Sequence, residues 1–521
     1  MAKSEFQQTT KNAGIIGMTA FGGALMGFIL NIVISYYFGI GKNTDAYLMA
    51  QSTSELLGKL LLGGSIVAVF IPIFVEQLNK DGKTLAWKSA LNIMHITAAL
   101  YVLLLIVVAL FTTPFVHLIA PGFDSAAIIL TVQLLRILLP SFFFLFLVEL
   151  GTAMLQSVRH FTIPASLRII APLVSILSIV AFVQTLGIYS LAIGALIGAA
   201  VQIALIIWAL KKQGFSYAFV FHPASPTIKK LIRLVYPFIF SMLVTFAAGI
   251  VYRVLVSHLP EGSLTSLKWA EKITQMTTLI FLTSIVSAMY PLLSEKASRG
   301  DMGGLKDSLA SAVRLIFFIS MPLLIGLSML RQPLISLIYG HGSVTTQGVA
   351  QTSIALLFLS IGLVTNGISA VFGNATVAIQ KTKAAVAITI ASQMVAIILF
   401  YLLTPRMGHA GLALASSLVP LASGLMYMFY LGNYIPRMWT MFIHATYLKT
   451  IALSVVLYGV VQMVIPLTTR LEIGSTATAA MQVFIPALIG GTVYVAGAHT
   501  IHVPEVREVA GILGRKLKKF L

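Results

Sequence analysis

The residues of this chain that could do chemistry are a few ionisable side chains inside long apolar stretches. Glu55 and Lys59 stand four residues apart, Glu271 and Lys272 are adjacent, and Arg253 stands alone between them. Lysine and arginine pair well with phosphate oxygens. We therefore predict that Lys59, Arg253 and Lys272 bind an anionic, phosphate-bearing substrate.

These side chains also have plainer interpretations, which remain open. Glu55 and Lys59 share one helix face in the favourable Glu-before-Lys order and could neutralise each other. Arg136, Lys268 and Arg253 stand close enough to the ends of apolar stretches to extend to an interface. Glu149 lies deep in its stretch without a partner nearby in sequence, as a structural or gating polar residue would.

Other kinds of chemistry find no support in the sequence. There is no cysteine, which excludes disulfides and thiolate metal sites. The ten histidines lack metal-ligand spacing, and no Gly-rich phosphate loop with its lysine occurs. We expect neither an enzyme nor a metal or organic cofactor.

Composition identifies the elements that must position these residues. Hydrophobic residues make up 58% of the 521 and charged residues only 9%, and the mean hydropathy is +0.97. Apolar runs long enough to cross a bilayer recur along the chain. We predict an all-α polytopic membrane protein with fourteen transmembrane helices, near residues 13–39, 46–76, 89–119, 125–157, 161–185, 188–210, 232–258, 265–293, 309–330, 347–375, 384–404, 408–433, 446–466 and 475–500.

The positive charge is distributed asymmetrically about these spans. The net charge is +19, and most of the 34 lysines and arginines fall in alternate loops and at the two termini. Such an excess marks the cytoplasmic side and attracts anionic lipid. We predict a multi-pass membrane protein with both termini cytoplasmic, and no nucleic-acid binding.

The chain also repeats itself at a constant offset. Residues 71–76 (IPIFVE) recur at 290–295 (YPLLSE), and 114–119 (PFVHLI) recur at 333–338 (PLISLI), so both pairs have the same separation. Duplicated halves place a candidate substrate site between them. We predict two pseudo-symmetric six-helix lobes at 1–213 and 214–436, two further helices at 437–502, and a basic amphipathic cytoplasmic tail at 503–521.

Several short motifs resemble one family of transporters. They are Met18-Thr19-Ala20-Phe21, Thr44-Asp45-Ala46-Tyr47, Phe70-Ile71-Pro72-Ile73-Phe74, Ala120-Pro121-Gly122-Phe123, Phe161-Thr162-Ile163-Pro164-Ala165, Trp269-Ala270-Glu271-Lys272 and Tyr290-Pro291-Leu292-Leu293-Ser294. In this order they resemble the MurJ/MviN family of lipid II flippases, within the multidrug/oligosaccharidyl-lipid/polysaccharide exporter superfamily. The resemblance covers essentially the whole chain.

The resemblance implies a flippase of the bacterial cytoplasmic (inner) membrane that moves lipid II from the inner to the outer leaflet by alternating access, for cell-wall synthesis. Lys272 takes a family arginine site, Lys59 falls in the arginine-pair region of the second span, and Asp45 matches the family aspartate. The first span lacks the family arginines and offers only the polar Asn31 near its middle. The last two helices would form the groove for the lipid tail.

Three alternatives remain open from the sequence. The substrate could be another polyprenyl-linked glycan, such as a teichoic acid, capsule or exopolysaccharide precursor. The chain could be a cation-coupled drug extruder, which its positive site disfavours, or a non-transporting scaffold homologue. We expect a monomer whose partners are a polyprenyl-pyrophosphate lipid and the surrounding membrane lipids, with coupling to membrane potential, Na⁺ or H⁺ left open.

Overall fold

The architecture comes from a computed structural model of the chain. It describes the backbone of residues 2–61, 65–469 and 475–506. It describes their side chains except those of residues 2–16, 59–61, 65–69, 237–238, 469 and 475. Most of the predicted basic tail at 503–521 therefore lies outside the described residues.

Within the described ranges the chain folds into helices joined by short turns, without a strand. In chain order the α-helices are α1 (Ala2–Phe38), α2 (Lys42–Leu61), α3 (Ser65–Leu110, broken at Gly82), α4 (Thr112–Ile119), α5 (Ser125–Ser157), α6 (Thr162–Leu186), α7 (Tyr189–Lys212), α8 (Pro226–Ser257), α9 (Ser263–Phe281), α10 (Thr283–Ser298), α11 (Met302–Met329), α12 (Arg331–Tyr339), α13 (Thr346–Ser360), α14 (Gly362–Ala378), α15 (Thr382–Met407), α16 (His409–Leu431), α17 (Ala445–Thr469) and α18 (Ser475–Thr500). A short 3-10 helix, Met438–Phe442, precedes α17.

The helical membrane class predicted from the sequence is confirmed. Twelve helical stretches are long and apolar enough to cross a membrane, and the bent pair α9 and α10 would make thirteen. The second predicted span, 46–76, runs across residues 62–64, which lie outside the described residues. The described ranges therefore support twelve or thirteen spans, and the predicted count of fourteen stays a prediction.

Helix ends follow local sequence signals. Asp124, Ser225, Asp301 and Thr345 each accept a hydrogen bond from a backbone N–H in the first turn of the helix that follows. Such caps satisfy donors that have no partner inside the helix. At Gly82 the backbone has φ +77°, a conformation that glycine adopts without strain, and α3 breaks there into two helical segments.

Helix boundaries reproduce the repeat seen in the sequence. Helix α4 begins at Thr112 and α12 at Arg331, with the same separation as the repeated motifs. Helix α1 ends at Phe38 and α8 at Ser257, again with that separation. The offset of the sequence repeat is therefore also a periodicity of the helices.

The chain divides into two compact units, Met1–Thr265 and Ser266–Leu521. This boundary lies beyond α8, whereas the repeat suggested a second lobe from residue 214. The first unit has a core rich in aromatic side chains, where Phe74 contacts both Phe70 and Trp87.

In the second unit, α17 and α18 pack on each other and α17 packs on α11. Tyr494 of α18 donates a hydrogen bond to the Phe318 carbonyl at 2.8 Å. The buried Glu505 forms an ion pair with Arg314 at 2.9 Å. The final helix pair is therefore an integral part of this unit.

Candidate functional site

Arg253 of α8 is buried in the first unit, with 8% of its surface exposed. Its Nε donates to the Ser52 hydroxyl at 3.1 Å, and its Nη2 donates to the Ser52 carbonyl at 2.6 Å. Its Nη1 donates to the Gly249 carbonyl at 2.9 Å. A buried guanidinium must have such acceptors. Arg253 therefore joins α8 to α2, and its role as a substrate ligand stays a prediction.

Asp45, in the first turn of α2, is also buried in the first unit. One carboxylate oxygen accepts from the Gly262 N–H at 2.7 Å. The other accepts from the Thr265 N–H at 2.8 Å and the Thr265 hydroxyl at 2.6 Å. These donors lie at the start of α9, where a helix has unpaired N–H groups and a positive dipole end. Asp45 of α2 thus caps the N-terminus of α9.

Helix α9 carries two lysines with different surroundings. Lys268 forms an ion pair with Glu271 at 3.3 Å, and Glu271 also accepts from the Gln275 side chain at 3.1 Å. Lys272 is half-buried and makes no hydrogen bond or ion pair with any described residue. Of the predicted cations whose side chains are described, Lys272 is therefore the one that can bind a ligand anion without first losing a partner.

The other predicted site residues are placed as follows. Glu55 of α2 is exposed and lies within electrostatic range of Arg253. Asn31 is half-buried on α1, and Glu149 is exposed on α5. Lys59 belongs to α2, but its side chain lies outside the described residues. The predicted Glu55–Lys59 pair therefore stays a prediction.

The site residues are charged and polar side chains on membrane-type helices. Among the described residues, no three His, Asp or Glu side chains come close enough to hold a metal ion. The described groups are cations and carboxylates carried by largely apolar helices, and several of them are bound to other side chains or to the backbone. Such groups bind and release a charged ligand, and inside a membrane they usually face a cavity or a partner.

Two partnerships in the first unit were not visible in the sequence. The acceptor of Arg253, Ser52, lies 201 residues away, and the donors to Asp45 lie 217 and 220 residues away. A single sequence gives no signal for contacts of such separation. The pairing of Glu271 with Lys268 could have been predicted, because residues three apart on a helix are neighbours and adjacent residues are not.

Comparison with known families gives a match over most of the chain. A family model described as "Lipid II flippase MurJ" matches residues 34–474. The chain is 24% identical over 450 residues to a protein of Bdellovibrio bacteriovorus named "Probable lipid II flippase MurJ", covering 83% of this chain and 84% of that one. It is 25% identical over 398 residues to "Lipid II flippase MurJ" of Burkholderia cenocepacia, covering 75% and 77%.

A solved structure shares the fold. It is described as "Lipid II flippase MurJ, inward closed conformation". The TM-score is 0.77 at 24% identity, and the alignment covers 94% of this chain and 98% of the other. The arrangement of helices therefore has a known counterpart over nearly the whole chain.

Proposed function

The chain belongs to the MurJ family of lipid II flippases, and from this premise we propose that it moves lipid II from the inner to the outer leaflet of a bacterial cytoplasmic membrane. The observation that carries the proposal is the family match over residues 34–474. The composition of the helices agrees with it, because twelve or thirteen helical stretches in the described ranges are long and apolar enough to span a membrane. The protein would expose a headgroup site first to one side of the membrane and then to the other.

We assign the diphosphate of the substrate to Lys272 first. Lys272 is half-buried and makes no hydrogen bond or ion pair with a described residue, although Glu271 lies within electrostatic range of its ammonium group. A phosphate oxygen can accept directly from an ammonium donor in a charge-assisted hydrogen bond. The roles of Lys59 and Asn31 in headgroup binding stay predictions from the sequence.

Arg253 has a different place in this proposal. Its Nε, Nη1 and Nη2 atoms already donate to Ser52 and Gly249. A substrate would have to displace these bonds or use the N–H groups that remain. We assign Arg253 to holding α8 against α2, and the carboxylates of Glu55, Glu149 and Glu271 to balancing the cations.

The prenyl chain of the substrate would lie along α17 and α18. Leu448, Val455 and Met463 are exposed apolar residues on one face of α17, and Phe484 and Leu488 are exposed on α18. The prenyl chain already lies among apolar lipid tails, so this face would hold it by van der Waals packing rather than by removing apolar surface from water. This face suits a long hydrocarbon chain, and the placement follows what the family resemblance implies.

Genetic complementation tests the proposed function. The chain, expressed in a bacterium depleted of its own lipid II flippase, should restore growth and normal cell shape. An inactive chain that reaches the membrane at normal levels would contradict the proposal. Correction of a teichoic-acid or capsule defect alone, with peptidoglycan still blocked, would assign the protein to export of another polyprenyl-linked glycan.

A further inference from the structure

Arg168 of α6 packs against α1 at a glycine. A Cβ atom added to Gly23 would lie 2.5 Å from the Arg168 Cβ and 3.1 Å from its carbonyl oxygen. Glycine therefore lets the two helices approach closely at this level. The Arg168 side chain itself remains exposed in the first unit.

Arg168 lies within the apolar part of α6. It stands six residues after the start of α6 at Thr162, which is about 9 Å at 1.5 Å per residue. The exposed apolar residues Leu173, Leu177 and Val180 lie about 120–180° around the helix from it. Arg168 thus lies opposite the exposed apolar residues of the turns that follow it, although the exposed Phe182 and Leu186 at the far end of α6 are on its own side.

Glu149 of α5 is a second observation that indicates a polar cavity near Arg168. It is exposed, lies about 12 Å from the end of its helix at Ser157, and is within electrostatic range of Arg168. In the part of the chain that the structure describes, neither side chain makes a hydrogen bond or an ion pair. A carboxylate has no long stem with which to reach the interface. Charges at this depth usually line a water-filled cavity.

We propose that Arg168 is a binding residue for the diphosphate of the lipid-linked headgroup, with Glu149 as its counter-charge in the empty protein. This inference rests on the proposed function. It assigns to headgroup binding a cation of α6 that lies beside α1, whose span from Gly17 to Phe38 contains no lysine or arginine. An arginine fork matches two phosphate oxygens at once. Arrival of the diphosphate would replace the weaker attraction of Glu149.

Binding of purified lipid II to the full chain in detergent tests this role. Arg168→Gln should weaken binding about 10- to 100-fold, the size expected for a lost charge-assisted contact. Arg159→Gly is the matched control, because it removes a cation just before α6 at a φ of +61° that glycine accepts. Binding of uncharged undecaprenol, which shares the tail, should be the same in all variants.

Two further variants separate binding from packing. Glu149→Gln should tighten lipid II binding about 3- to 10-fold, because it removes the competing charge. In the exchange variant Gly23→Arg with Arg168→Gly, the guanidinium comes from α1 instead and should regain most of the affinity that Arg168→Gly alone loses.

Two results would overturn the inference. One is normal lipid II binding by Arg168→Gln. The other is equal weakening by Arg168→Gln and Glu149→Gln, which would indicate a structural role for both. Failure of the unaltered chain to bind lipid II would instead count against the proposed function.

Discussion

Lys272→Ala is expected to reduce lipid II translocation about 10- to 100-fold. A hydrogen bond to a charged group contributes about 1.5–3 kcal/mol, and each 1.4 kcal/mol is a factor of ten. No described side chain near Lys272 would need to rearrange, because none is bonded to it. Lys272→Arg keeps the charge and should retain most of the activity. The measurement is the rate of lipid II transfer in proteoliposomes, with complementation as a parallel readout.

The same helix supplies the matched control. Lys268 stands one turn before Lys272 and forms an ion pair with Glu271 at 3.3 Å. Lys268→Ala removes one positive charge from α9, as Lys272→Ala does, but not the unpaired cation. We expect near-normal transport from Lys268→Ala at equal membrane levels. Equal losses in the two variants would mean that the overall charge of α9 matters rather than Lys272 itself.

Asp45→Ala is expected to lower the stability of the first unit by about 3 kcal/mol or more. The change leaves the N–H groups of Gly262 and Thr265 and the Thr265 hydroxyl without their acceptor in a buried place. A buried donor without a partner costs about 1–3 kcal/mol. The measurement is the midpoint of thermal unfolding in detergent, which should fall clearly.

Asp124→Ala is the control for that loss. Asp124 also caps a helix, accepting from the Ala127 N–H at 2.9 Å, but it is exposed. Its bonds to Lys42 and to that N–H hold the pKa of Asp124 below its usual value. Water can replace both partners in the variant, so we expect a much smaller fall in the unfolding midpoint. An equal fall in the unfolding midpoint for the two variants would show that the burial of Asp45 does not explain its contribution to stability.

The helical membrane fold could be predicted largely from the apolar runs and the repeat, because both can be recognised directly in the sequence. The constant offset between the repeated motifs reappears in the starts of α4 and α12. The predicted lobes at 1–213 and 214–436 stay a prediction. The division into compact units after Thr265 is a different property, because it depends on which helices pack together.

The site was harder to predict, because the type of a residue and its position within an apolar stretch do not reveal which side chains it contacts. Arg253 and Lys272 were both predicted to bind phosphate, yet Arg253 is bound to Ser52 and Lys272 makes no hydrogen bond or ion pair with a described residue. The sequence predictions did not single out Arg168 among the basic residues. Its significance depends on the close approach of Gly23 on another helix, which spacing along the chain does not encode.

Direct transfer of lipid II by the purified chain tests the central claim. Proteoliposomes would carry fluorescent lipid II, and accessibility of the label to an external quencher would report movement between leaflets. The account predicts faster transfer with the unaltered chain than in empty liposomes, and a return toward the empty-liposome rate with Lys272→Ala. A folded, correctly inserted chain that leaves lipid II in its original leaflet would contradict it.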